Sequence, residues 1–283
     1  MSGFRIADRF DLLKKRGGSG LVTFLTAGDP DFETSLQILK KLPASGADVI
    51  ELGMPFSDPM ADGPAIQTSS QRALKAGIDL KKIFLIVEIF RSEDTETPIV
   101  LMGYYNPIYI YGIEAFISDA ESAGVDGLII VDLPPEEPEL LHIMENSSLQ
   151  FIYLITPTTN DERLPKIIKH ASGFIYYVSV TGITGTKTAS SEHVELALSL
   201  IRRYTDLPIA VGFGIKTPEQ ATKMAKFADA AVVGSALVSR IEDNLDANGK
   251  PTSACVTAVL DFVGQISEGI CSISKNAQEN AAE

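Results

Sequence analysis

The feature that most constrains this chain is a set of eight short runs that are apolar on successive residues, not on alternate ones. They are LVTFLTAG (21–28), ADVIELG (47–53), TPIVLMG (97–103), GLIIVDLP (127–134), QFIYLITP (150–157), FIYYVSVTG (174–182), LPIAVGFG (207–214) and DAAVVGSAL (229–237). A strand reads this way when both of its faces are covered, as in a parallel sheet wrapped in helices. Amphipathic stretches separate the runs. Phe32, Leu36, Leu39 and Leu42 recur at helical spacing after Asp29-Pro30-Asp31, and Glu192 to Arg203 follows Ser190-Ser191. Eight such units with no linker between them fit a closed (β/α)8 TIM barrel better than an open sheet.

Two additions to the plain barrel are expected. The long interval between the second and third strands holds two helical stretches, Pro64 to Lys75 and Leu80 to Arg91, so one helix there is extra. Residues 4–16 place Ile6, Phe10 and Leu13 on one face, which reads either as a helix closing the barrel floor or as a frayed surface helix. After Ile241 the stretch DNLDANGKP is turn-like, and Ser253 to Ile266 makes a last barrel helix. Residues 1–267 then form one barrel domain, with 268–283, ending in SKNAQENAAE, as a polar, disordered tail.

Composition removes several classes of function. Apolar residues at 45% and charged residues at 22% exclude disorder, collagen and coiled coil. Lys+Arg 24 against Asp+Glu 37 leaves a net charge of -13, with no basic stretch longer than Lys14-Lys15-Arg16, which argues against a nucleic acid partner. The first twenty residues lack an apolar signal core, and no uninterrupted apolar run approaches about eighteen residues, so the reading is cytoplasmic, with no membrane. Cys255 and Cys271 stand apart from any Cys/His cluster and read as free thiols. His142, His170 and His193 lack ligand spacing, and no metal is expected.

In such barrels chemistry sits at the C-terminal ends of the strands. Those ends read Thr26, Glu51, Met102, Asp132, Thr156, Ser179, Gly212 and Gly234. With no lysine there and no metal cage, Schiff-base and metal-aldolase routes lack their parts, and carboxylates remain. Glu51 ends an apolar strand, where burial would let it hold a proton near neutral pH; the alternative is a structural pair with Arg or Lys. The next loop, MPFSDPMADGP, adds Asp58 and Asp62, although Asp62-Gly63-Pro64 reads equally well as a helix start with Asp as the cap. Asp132 can equally be a loop anchor.

Gly212-Phe213-Gly214 and Gly234-Ser235 follow the seventh and eighth strands, the place where barrels often bind phosphate through backbone N–H groups; plain turn geometry is the alternative. The Gly/Thr-rich loop after the sixth strand has the character of a lid, or of an ordinary surface loop. On residue types alone, an isomerase or epimerase of a sugar phosphate and a catalytically idle regulatory subunit remain as rivals.

Taken together, TAGDP (26–30), ELGMPFSDPMADGPAIQ (51–67), YYNPIYIYG (104–112), VSVTGITG (178–185), VGFGIKTPEQ (211–220) and VVGSALV (232–238) resemble the tryptophan synthase α subunit family, over roughly residues 4–265. The resemblance implies a (β/α)8 barrel that cleaves indole-3-glycerol phosphate by a retro-aldol reaction to indole and glyceraldehyde 3-phosphate. It implies Glu51 as the acid at the ring carbon, and also as the base for the glycerol hydroxyl, with Asp62 stabilising charge at the indole nitrogen. Gly185, Gly214, Gly234 and Ser235 would hold the phosphate. Phe24, Ile66, Met102, Tyr176, Phe213 and Val232 would line the indole pocket, and Thr184 in the lid would meet the aspartate on closure. Pro55, Asp58, Pro59 and Asn106 would face a β subunit in an αββα heterotetramer. No cofactor is implied in this chain, pyridoxal phosphate belonging to the β partner. Val180 stands where enteric members have an Arg, which bears on lid closure.

Overall fold

The computed structural model describes residues 4–144, 146–179, 191–212 and 214–282. Their strands are β1 (Gly20–Thr26), β2 (Val49–Gly53), β3 (Ile99–Gly103), β4 (Gly127–Ile130), β5 (Gln150–Phe151), β6 (Tyr153–Ile155), β7 (Ile175–Val178), β8 (Ile209–Gly212) and β9 (Ala230–Val233). All pair in parallel, in the order β5-β4-β3-β2-β1-β9-β8-β7-β6. β5 and β6 are two halves of the one strand expected at 150–157. β5 pairs with β4 and β6 with β7, and between them the Ile152 N–H still donates to Leu128 O at 2.9 Å. The sheet therefore comes round on itself as the expected eight-stranded barrel.

Side chains alternate across each strand, so every second residue enters the barrel. Val22, Val49, Val100, Ile129, Ile152, Ala210, Ala230 and Val232 form this inner core. Ile6, Phe10 and Leu13 of helix α1 (Arg5–Lys15) join it, and the Phe10 ring lies 5.7 Å from that of Phe174, just ahead of β7. Of the two readings of the N-terminal stretch, the plug at the barrel floor is the correct one.

The outward-facing residues pack beneath the surrounding helices: α2 (Phe32–Lys41), α3 (Pro64–Lys75), α4 (Leu80–Arg91), α5 (Tyr105–Tyr111), α6 (Ile113–Ala123), α7 (Pro138–Met144), α8 (Leu164–His170), α9 (Ser191–Ile201), α10 (Pro218–Ala225), α11 (Ser235–Glu242) and α12 (Cys255–Ala282). The helix pair α3 and α4 occupies the long second interval as expected. α5 was not legible, because its seven residues carry three tyrosines and Pro107, without an apolar stripe. α12 runs on past Ile266 through the stretch read as a disordered tail. By length and composition Cys255–Ile273 could cross a membrane, yet Cys255, Val259, Phe262, Val263 and Ile266 are buried in the core against the barrel's outer helices. Both cysteines are free thiols, Cys255 buried and Cys271 exposed.

Candidate active site at the barrel mouth

Val49, Glu51 and Gly53 share the inner face of β2. In register, Glu51 stands opposite Phe24 of β1 and Val100 of β3. Its side chain is fully buried, and among the described residues neither carboxylate oxygen has a hydrogen-bond partner. Among the described residues no Arg or Lys makes the structural pair with Glu51 that the alternative reading requires. Burial alone raises its pKa from 4.5 to about 8. At neutral pH the group holds its proton and can donate it, and leaving a buried carboxyl without a partner is costly to the fold.

The space around Glu51 is shaped by rings resting on glycines. A Cβ added at Gly53 would stand 2.6 Å from the Phe24 ring, and one at Gly212 would stand 2.3 Å from the Tyr176 hydroxyl oxygen. Burial raises the Tyr176 pKa and the nearby Glu51 charge adds to it, so this phenol stays neutral. Phe24 and Val232 are buried on the inner face, while Met102 and Tyr176 pack against the inner core from the mouth side.

Asp62 lies in the loop between β2 and α3. The cap of α3 is Gly63, with no side-chain hydrogen bond, and Pro64 occupies the first turn. Locally Asp62 bonds through its backbone, its oxygen accepting from Gln67 Nε2 at 2.8 Å and its N–H donating to Pro59 O at 3.1 Å. Its carboxylate is thus not spent on capping. Burial pushes its pKa up to about 6, with the nearby Tyr104 hydroxyl acting the other way. Asp62, Ile66, Met102 and Tyr176 line one open cleft of about 740 Å³, together with Leu154 and Thr156. Phe24, Asp62, Ile66, Met102 and Tyr104 meet again around a small void behind it.

Gly234 caps α11 without a side-chain bond, and Ser235 is the helix's first residue. First-turn amides have no partner inside a helix, so this end offers N–H groups to an anion. Gly214 has φ +60°, and a Cβ there would touch nothing within 4 Å, so glycine is required by the backbone and not by crowding. Thr184, Gly185, Val180 and Phe213 lie outside the described residues. Asp132 proves to be an anchor, its Oδ1 accepting the Tyr105 N–H at 2.8 Å at the start of α5. Tyr104 was missed by sequence reasoning, although it follows directly on Gly103 at the end of β3. Among the described residues no cluster of His, Cys, Asp or Glu could hold a metal ion.

Outside the barrel, Pro55 and Asn106 line a second, mainly apolar groove of about 500 Å³ with Phe56, Leu80 and Ile110. Asp58 is exposed and Pro59 half-buried on the same loop, and Met60 and Ile110 are each 76% exposed.

The family model for the tryptophan synthase alpha chain matches residues 10–267. Among solved structures, tryptophan synthase subunit alpha from Legionella pneumophila str. Paris is 40% identical, with a TM-score of 0.88 over 96% of this chain and 100% of that one. A protein from Aquifex aeolicus VF5 is 37% identical, with a TM-score of 0.83 over 94% and 99% of the two chains. Tryptophan synthase from M. tuberculosis, in an aminoacrylate-bound form, is 29% identical with a TM-score of 0.82, over 95% and 100%.

Proposed function

The chain belongs to the tryptophan synthase alpha chain family, a lyase subunit of tryptophan biosynthesis, and from that premise we propose that Glu51 and Asp62 cleave indole-3-glycerol phosphate by acid–base catalysis alone. The observation that carries this reading is the fully buried Glu51 carboxyl with no partner for either oxygen among the described residues.

Glu51 protonates the ring carbon that bears the glycerol side chain, and the positive charge appears at the indole nitrogen, where the Asp62 carboxylate faces it. The Glu51 carboxylate so formed takes the proton of the adjacent glycerol hydroxyl. The carbon–carbon bond breaks, its electrons neutralise the ring nitrogen, and indole and glyceraldehyde 3-phosphate leave with the proton count unchanged. The pKa values support the division of labour, since an acid at about 8 and a carboxylate at about 6 are in the required states at pH 7. Phe24, Ile66, Met102, Tyr176 and Val232 supply the walls for the ring, with Phe213. The amides at Gly214, Gly234 and Ser235 hold the phosphate, with Gly185, and Thr184 closes on Asp62.

No cofactor is assigned to this chain. The exposed loop with Pro55, Asp58, Pro59 and Asn106, beside the apolar groove, receives a β subunit that carries pyridoxal phosphate, in an αββα assembly of the cytoplasm. Glu51→Gln tests the catalytic reading: indole release should stop while glycerol phosphate still binds, and undiminished turnover removes Glu51 from the mechanism. An idle regulatory subunit would have no use for an unpaired buried acid, and assaying the chain with and without a β partner separates the two.

A further inference from the structure

Two buried hydroxyls join the end of β1 to α3. Thr26, the last residue of β1, and Ser69 have their hydroxyl oxygens 2.6 Å apart, and Ser69 Oγ donates to the Ile66 carbonyl at 2.8 Å. A carbonyl only accepts, so the single proton of Ser69 is committed there and the proton between the two hydroxyls comes from Thr26. The bonds therefore run in one direction, from Thr26 to Ser69 to Ile66. Both side chains are shut away from water, where a polar group deprived of its partner is costly.

Ile66 lies in the first turn of α3 and is a wall of the cleft beside Asp62, Met102 and Tyr176. The loop ahead of the helix hangs on the same turn. The Gln67 N–H donates to Gly63 O at 3.0 Å, and Gln67 Nε2 donates to Asp62 O at 2.8 Å. No side chain caps this helix end. One turn after Ser69, Arg72 binds Asp29, so α3 is tied twice to residues 26–29, and the hydroxyl pair is the tie nearer the helix start. Thr26 lines the small void behind the cleft, with Phe24, Ile66 and Ser70, and does not line the cleft itself. It supports the wall from the rear without reaching the space a ligand would fill.

We propose that Thr26 and Ser69 are positioning residues that set the ring end of the cleft, so that recognition of the indole half of the substrate depends on their hydroxyl pair and recognition of the phosphate half does not. This rests on the placement of the ring beside Ile66 under the proposed function. The amides assigned to the phosphate, at Gly214, Gly234 and Ser235, follow β8 and open α11, and among the described residues no hydrogen bond joins them to either hydroxyl. The two halves of the substrate are therefore separable by mutation.

The test is Thr26→Val in the full chain, which removes the hydroxyl and keeps the side-chain shape. NMR titrations with indole and with glycerol phosphate, each alone, read the two halves. The expected result is indole affinity lowered about tenfold and glycerol phosphate affinity held within about twofold, with KM for indole-3-glycerol phosphate raised. Thr26→Ser, which restores the hydroxyl, must bind indole as the native chain does. A purely structural role would lower the melting temperature and leave both affinities unchanged, or weaken both alike, and either outcome overturns the proposal. Should Thr26→Val fail to fold, Ser69→Ala removes the same link from the helix side and must give the same split; equal losses or none are again fatal. Ile66→Ala separates the two levels of inference. Undiminished indole binding in Ile66→Ala overturns the placement of the ring and this inference with it, whereas weakened indole binding in Ile66→Ala with native binding in Thr26→Val overturns this inference alone.

Discussion

Tyr176 lies over Gly212 so closely that any β-carbon at that glycine would meet the phenol oxygen at 2.3 Å. Strands β7 and β8 are register partners here, with Tyr176 opposite Ala210 and Val178 opposite Gly212, so the contact is diagonal across the inner face. The absence of a side chain on one strand makes the room that the ring on its neighbour fills.

Gly212→Ala should therefore push Tyr176 into the cleft. Overpacking of this kind costs about 1–3 kcal/mol of stability, but the larger effect is expected on KM for indole-3-glycerol phosphate, since Tyr176 is a cleft wall. Kinetics alongside a urea melt decide it. A variant with native KM would mean that the ring can move aside without reaching the substrate.

The Glu51 carboxyl makes stability depend on pH in a stated direction. Its pKa is 4.5 when unperturbed and about 8 in the fold, so between those values the folded chain retains a proton that the unfolded chain has released. That contribution is intact at low pH and is lost as pH rises, at ~1.4 kcal/mol per unit over the window. Glu51→Gln cannot lose a proton, so its stability relative to the native chain should grow steadily from about pH 4.5 to 8 and level off beyond. Denaturant melts at four or five pH values measure this. A constant difference across the range would contradict the burial of an ionisable Glu51.

Catalysis should show a bell-shaped pH profile. Activity falls below about 6, where Asp62 takes a proton, and above about 8, where Glu51 loses one. The measurement is kcat/KM after correction for the substrate phosphate's own ionisation. A profile flat from pH 5 to pH 9 would show that neither carboxyl titrates in the reaction.

Arg72 of α3 grips Asp29, in the loop after β1, through two hydrogen bonds of 2.7 and 2.8 Å, and the Asp29 side chain is wholly buried. Arg72→Met would leave that carboxylate in the interior without its partner, at a cost of about 3–5 kcal/mol. Thermal unfolding should drop accordingly. A double replacement, Asp29→Asn with Arg72→Met, should recover part of the loss, and no recovery would mean that the pair contributes through packing instead.

Much of the barrel was legible because burial on both faces of a strand leaves a mark in the strand's own residues. Val49, Ile50 and Leu52 around Glu51 announced a covered strand, and the helical spacing of Phe32, Leu36 and Leu39 announced a crossover. The break of the fifth strand at Ile152 left no such mark, because Ile152 is as apolar as its neighbours and the change of partner from β4 to β7 depends on how the ring closes. α5 was hidden for a related reason. Its start is set by Asp132, twenty-seven residues further along the chain, and not by a cap within its own segment.

The candidate site divides along the same line. Periodicity determined that Glu51 sits inside a strand end, and the residues 51–67 carry the family likeness by themselves. Which role each carboxyl takes was a matter for the tertiary structure. Glu51 keeps its proton at neutral pH because it is buried with no partner among the described residues, and Asp62 was freed from capping because Gly63 took that position. Tyr104 entered only when β3 and the loop after β2 came side by side. Local sequence records the environment a segment must have, since an apolar run needs cover wherever it is placed. Proton affinity depends on which groups from distant segments arrive within a few ångströms, and that is decided when the chain closes.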